Sequence, residues 1–219
     1  MNKHHPDDEL LLMQAAGRLS AGATLVVSAH LENCPHCRAR LATAESVGGV
    51  LLDQIDPVML EDGAFSRTLA RIDAQAGQPA AAAARGQGAR PPLPPGMEWP
   101  RSLDGCDISP WHRIGPDMRW SRVGLPQHPE ARVFLLRMGA GRPLAAHTHS
   151  GREVTQVLYG AFDDGRAEWQ AGDFDEADEN IHHRPQVTPA GECICLVALE
   201  GPLRFDGLLA RALGAWMGI

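Results

Sequence analysis

Between His30 and Cys37 the chain reads HLENCPHC, so three side chains that bind soft cations, His30, Cys34 and Cys37, fall within eight residues. No other feature limits the fold as much. On one continuous helix the four- and three-residue spacings put all three on one face. Pro35 suits the first turn of a helix, so the alternative is a helix ending after His30 and another opening at Cys34 or Pro35. Cys37 then lies in the first turn of the second helix. Either arrangement makes the side chains converge, and free N–H groups at a helix start favour thiolates there. A closed zinc site needs a fourth ligand. The His4–His5 pair just ahead of the first helical segment is the nearest donor, whereas His36, between the cysteines, tends to point away from them. A redox dithiol and a chance cluster on a helix stand beside the zinc reading. Redox CxxC motifs ordinarily follow a strand of a βαβ unit, and no such strand precedes this one.

The surrounding residues read as helical. DELLLMQAAGRLS has an acidic start and apolar residues at helical spacing, and Ser20 is a candidate cap for the next segment, AGATLVVSAHLEN. CRARLATAESVGGVLLDQI keeps the helical period, weakened at Gly48–Gly49, and FSRTLARIDAQ adds one more short helix. A helical unit of about 70 residues buries little core, and a bound zinc ion supplies folding free energy to such a unit. Residues 76–98 turn rich in Ala, Gly and Pro and read as a linker, stiff where the prolines cluster. From Trp99 short strand-like segments alternate with Gly, Pro and Asp, the pattern of a sandwich or barrel. The tail, residues 206–219, has helical spacing. The expected division is a helical domain over 1–75, a linker over 76–98, a β-domain over 99–205 and a C-terminal helix.

A second set of ligands lies in the β-region. His147 and His149 are two apart, so a strand turns both to one side, and Glu153 follows after a short turn. His182 and His183 both offer a fourth ligand. Imidazoles with one carboxylate suit zinc, iron, manganese or nickel about equally.

Gly141, His147, His149, Glu153 and Gly160 match every fixed position of the pattern G-x5-H-x-H-x3-E-x6-G, so this segment resembles the cupin family. Gly172 and His183 fit the ends of the second cupin motif, which selects His183 over His182. Asp178 and Asn180 stand where that motif has Pro and Gly, and its closing Asn is missing. The pairing of an H-x3-C-x2-C helical region with a cupin resembles the zinc-binding anti-sigma factors of the ChrR family over nearly the whole chain. That resemblance implies a two-domain protein, a small all-α zinc-binding anti-sigma domain followed by an all-β cupin double-stranded barrel. It implies His5 as the fourth ligand beside His30, Cys34 and Cys37, and a cupin metal on His147, His149, Glu153 and His183. It also implies a function: the helical domain sequesters an extracytoplasmic-function sigma factor and releases it on a signal, singlet oxygen or organic peroxide in family members, sensed with the cupin.

The charge balance agrees with a protein partner. The chain carries 20 basic and 27 acidic side chains, a net charge of −7, with no basic cluster of the kind a nucleic-acid surface needs. Residues 1–73 hold six basic and ten acidic side chains, a net of −4 suited to a basic face on a sigma factor. Leu10–Met13 and Leu25–Val27 offer more apolar surface than a short bundle requires and are the expected docking face. The acidic start does not read as a signal peptide, no stretch approaches 18 apolar residues, and five cysteines are not a secreted disulfide framework. The expected compartment is the cytoplasm. Cys193 and Cys195 share one face of an apolar strand and read as core or as a redox pair, and Cys106 lies in a turn-like segment. Two rival functions remain: a metal-dependent cupin enzyme such as a dioxygenase, though no separate general base stands out, and a zinc-folded adaptor. Dimerisation through the cupin is left open.

Overall fold

The computed structural model describes residues 2–76 and 90–207, together with Ala212 and Gly214. The expected helix over 206–219 and residues 77–89 of the expected linker otherwise lie outside the described residues. Four helices come first: α1 (Asp8–Ala15), α2 (Ala21–Asn33), α3 (Pro35–Asp53) and α4 (Ala64–Ala76). Asp7 caps α1 by accepting from Leu10 N at 2.7 Å, and Ser20 caps α2 by accepting from Ala23 N at 3.2 Å. α1 is shorter than the sequence pattern suggests, because Gly17 takes a left-handed conformation (φ 63°) just past its end. Gly48 and Gly49, conversely, do not interrupt α3.

Among the described residues twelve antiparallel strands follow: β1 (Asp107–Ile108), β2 (His112–Gly115), β3 (Met118–Leu125), β4 (His128–Met138), β5 (His147–His149), β6 (Glu153–Tyr159), β7 (Ala161–Asp163), β8 (Glu168–Gln170), β9 (Phe174–Ala177), β10 (Gln186–Val187), β11 (Cys193–Leu199) and β12 (Leu203–Phe205). The large sheet runs β1-β3-β4-β11-β6-β9, with β2 on β3; the facing strands form the sheets β10-β7-β8 and β12-β5. This is the two-sheeted barrel expected of a cupin. Gly160 ends β6 with φ 70°, and a Cβ there would sit 2.0 Å from Glu192 O, so the last residue of the first cupin motif admits only glycine.

Strand alternation divides the large sheet into two apolar faces. Phe134, Val157, Cys195 and Val197 point into the barrel with Trp120 and Phe162. Val133, Leu135, Val154, Ile194, Leu196 and Ala198 point outward, where α2 packs across β4, β6 and β11. Both faces of β11 are covered, which explains its unbroken apolar run CICLVAL. The contact is close: a Cβ on Gly22 would lie 3.1 Å from Val133 Cγ2 and 3.3 Å from Ala198 Cβ.

This packing corrects the expected docking face. Leu10, Leu11, Leu25, Val26 and Val27 are buried in one core with the outer face of the sheet. The helical unit is too small to enclose these residues alone and uses the barrel wall as its second layer. Of the expected face Leu12 alone stays well exposed, and the other large uncovered apolar side chains among the described residues lie further along, on α3, the following loop and α4: Val47, Val50, Leu51, Leu52, Ile55, Val58, Met59, Leu60, Phe65, Leu69 and Ile72.

Two candidate metal centres

The helix break at Cys34–Pro35 builds the first centre. α2 ends at Asn33, Pro35 opens α3, and Cys34 caps α3 with Sγ accepting from Cys37 N at 3.5 Å. Arg38 closes the break by donating to Leu31 O and Glu32 O at 2.6 and 3.0 Å, satisfying carbonyls that α2 leaves unpaired. The N-terminal arm is fixed by the cupin: Asp173 Oδ1 accepts from Lys3 N and His4 N at 2.7 and 3.2 Å, and Phe174 N donates to His4 O. His4 then packs over Trp169, and His5 turns toward the helices, its Nδ1 3.4 Å from both Cys34 Sγ and Cys37 Sγ. One ligand atom each from His5, His30, Cys34 and Cys37 lies within 4.8 Å of the others. His36 is exposed and lies beside His5 at the rim, the two rings tilted by 53°.

The electrostatics of this cluster suit a soft cation. Nitrogen and sulfur ligands of a tetrahedral zinc stand about 3.5 Å apart at ordinary bond lengths. His30 Nε2 is buried, faces the cluster and has no hydrogen-bond partner among the described residues. Burial holds His30 down at about 4 and also lowers His5, so both imidazoles stay neutral, the form that ligates. Burial, together with the Cys34 sulfur, pushes Cys37 up to about 12, so a thiolate here requires a cation beside it.

The second centre lies inside the barrel, on β5, the start of β6 and the loop before β10. His147 Nδ1 donates to Ala145 O at 2.8 Å and His149 Nδ1 donates to Asp178 O at 3.0 Å, so each ring turns its Nε2 inward. His183 Nδ1 donates to Asp164 Oδ2 at 3.0 Å, and its Nε2 faces His147 Nε2 at 3.0 Å. Two opposed lone pairs at that distance repel unless a cation lies between them. Ligand nitrogens sharing one ion at bond lengths of about 2.0–2.1 Å stand about 2.9–3.4 Å apart. His147, His149 and His183 form a group within 4.8 Å. Glu153 Oε2 lies 3.3 Å from His149 Nε2 without hydrogen-bond alignment, and Thr155 Oγ1 donates to Glu153 Oε1 at 3.2 Å. Burial acts to raise Glu153, but His149 and the other two imidazoles outweigh it and hold the carboxylate below its usual range. His182 is exposed and pairs with Asp206 at 2.9 Å.

Around His183 stands a shell that the sequence reading did not name. Asp164 also accepts from Trp169 Nε1 at 3.1 Å and Arg166 Nε at 2.7 Å, and Arg166 reaches on to Asp175 at 2.8 Å. Burial acts to raise Asp164, but bonds from His183, Trp169 and Arg166 hold it far below the usual carboxylate range. Asp164 and Arg166 lie in the turn AFDDGRAEW, whose acid-and-glycine composition is that of any surface turn. A cavity of about 200 Å³ opens beside His147 and Glu153, walled by Trp120, Phe134, Leu136, Val197, Leu203 and Phe205. Tyr159 packs on the helix side of the sheet. Cys193 and Cys195 are buried with their sulfurs 3.7 Å apart, and Cys106 is buried in the core shared with the helices.

Residues 104–203 match the family model described as a ChrR cupin-like domain. The anti-sigma-E factor ChrR of Cereibacter sphaeroides is 38% identical over 209 residues, 95% of this chain and 95% of that protein. Among solved structures, the Rhodobacter sphaeroides SigE–anti-sigma ChrR complex matches with a TM-score of 0.70 and 32% identity, covering 91% of this chain and 100% of that one. No helix among the described residues is long and apolar enough to cross a membrane.

Proposed function

Because this chain belongs to the ChrR family of anti-sigma factors, we propose that its helical unit, residues 1–75, sequesters an extracytoplasmic-function sigma factor in the cytoplasm. Similarity at this level over the whole chain is to a regulator, which sets aside the enzyme alternative. The observation that carries the reading to particular residues is the uncovered apolar surface from Val47 to Ile72. Phe65, Leu69 and Ile72 recur at helical spacing on α4, so they form one stripe that a partner helix can cover. The reading needs no second copy of the chain.

In this reading His5, His30, Cys34 and Cys37 hold zinc, which ties the N-terminal arm to α2 and α3. His147, His149, Glu153 and His183 hold a divalent metal in the barrel, and zinc, iron, manganese and nickel all suit that donor set. The proposed bounds are 1–75 for the helical unit and 99–205 for the cupin. The cupin reports an oxidative signal, singlet oxygen or an organic peroxide, and the apolar cavity beside His147 and Glu153 gives a small molecule access to those side chains. The chain's own contribution to release is the wall between helices and barrel: a change at β6, where Glu153 lies, is one strand thickness from α2. Co-expression with a sigma factor encoded beside it tests the reading. A recovered complex and repressed sigma-dependent transcription are expected; unchanged transcription with no complex refutes it.

A further inference from the structure

The first metal cluster takes part of its support from the cupin. His30 Nδ1 lies 2.9 Å from Oε1 of Gln156, a residue of β6 three positions beyond Glu153. The amide has one workable orientation, because its Nε2 donates to Val157 O at 3.0 Å. Oε1 therefore faces His30 and accepts, which places the His30 proton on Nδ1 and leaves the Nε2 lone pair for the cluster. Phe174, on the neighbouring strand β9, meets the His30 ring edge-on at 5.6 Å and limits its rotation. Gln156 is itself buried, so it keeps this bond without competition from water.

We propose that Gln156 is a positioning residue for the zinc site of the helical unit, and that β6 thereby joins the two metal centres through one strand. Resting on the assignment of His5, His30, Cys34 and Cys37 as zinc ligands, the inference adds a cupin residue to that site. Alternation along β6 makes the connection direct: Glu153 and Thr155 face the barrel interior, and Val154 and Gln156 face α2. Displacing β6 at Glu153 removes the acceptor that orients His30. Linkage runs both ways, so loosening the cupin from α2 lowers zinc affinity, and zinc at the cluster tightens docking by the same factor.

The test uses the full-length chain. Cobalt substituted at the first centre gives a thiolate-to-metal charge-transfer band, which the His and Glu ligands of the second centre do not produce. Zinc affinity at the first centre is read by chelator competition. Gln156→Leu and Gln156→Met, which remove the acceptor at similar length, are expected to weaken zinc by roughly 10–100-fold and to perturb the cobalt band. Gln156→Glu keeps an acceptor for Nδ1–H and is expected to hold affinity within about threefold of wild type. Wild-type affinity in both the Leu and Met variants overturns the proposal. So does an equal loss in Gln156→Glu, which would assign the effect to packing. A wild-type chain with no thiolate band above that of C34S/C37S overturns the zinc assignment itself, a separate result.

Discussion

Replacing Phe65, Leu69 and Ile72 together by serine examines the apolar stripe of α4 directly. In the free chain these side chains are 73%, 44% and 55% exposed. Complete burial of such a side chain is worth about 1.5–3 kcal/mol. Scaled by the fraction still uncovered, the three together stand to contribute about 3–5 kcal/mol when a partner covers them, roughly 10²–10⁴ in Kd. The fold should scarcely notice, because exposed positions shift stability by no more than about 0.5 kcal/mol each. Calorimetric titration of the triple variant with the cognate sigma factor measures the first quantity, and thermal unfolding followed by circular dichroism measures the second. Unchanged Kd refutes the assignment of this stripe as partner surface. A large fall in Tm refutes the premise that the stripe is uncovered in the free chain.

C34S/C37S should lose the zinc of the first centre and part of its helical circular dichroism while keeping the barrel metal; full zinc content would remove the case for that site. Asp164→Asn should weaken metal binding at the barrel centre roughly tenfold by replacing the charged acceptor of His183, as read by metal competition. Glu176 is raised to about 7 by burial, then by the Asp7 carboxylate, with Arg152 opposing. The folded state therefore holds this proton more tightly than the unfolded chain, so stability is lost as pH climbs from about 4.5 to about 7. Glu176→Gln should raise Tm at pH 8, by the equivalent of about 1–3 kcal/mol, and bring no gain at pH 5. Equal gains at both pH values would refute the titration argument.

What the sequence makes legible follows from local chemistry. Ser20 and Pro35 mark helix starts because capping and proline geometry are decided within a few residues. The cupin spacing separates His183 from His182 because a strand and a fixed loop set which side chain turns inward. Layer contacts are another matter. Leu25, Val26 and Val27 look identical in sequence whether they meet a partner protein or the chain's own sheet, and only the fold shows that Val133, Leu135 and Leu196 cover them. Gln156 and Asp164 carry no motif either, since an oriented amide or a buried carboxylate depends on residues far away in the chain, His30 for one and His183 for the other.

The docking of helices on barrel also constrains how a signal can travel. α2 presents its apolar residues to the large sheet and, through His30, one candidate ligand to the first metal cluster. α3 begins at that cluster and runs outward to the uncovered residues Val47 to Leu52. The proposed partner surface therefore lies apart from the barrel centre among the described residues, yet it is oriented by a cluster whose arm is held by Asp173 and whose imidazole is held by Gln156. Releasing α2 from the sheet would expose Leu25, Val26 and Val27 to water and withdraw support from His30 in one event. Because a packed interface opens cooperatively rather than by degrees, a small change at Glu153 or His183 can be answered by an all-or-none change in how α3 and α4 are presented.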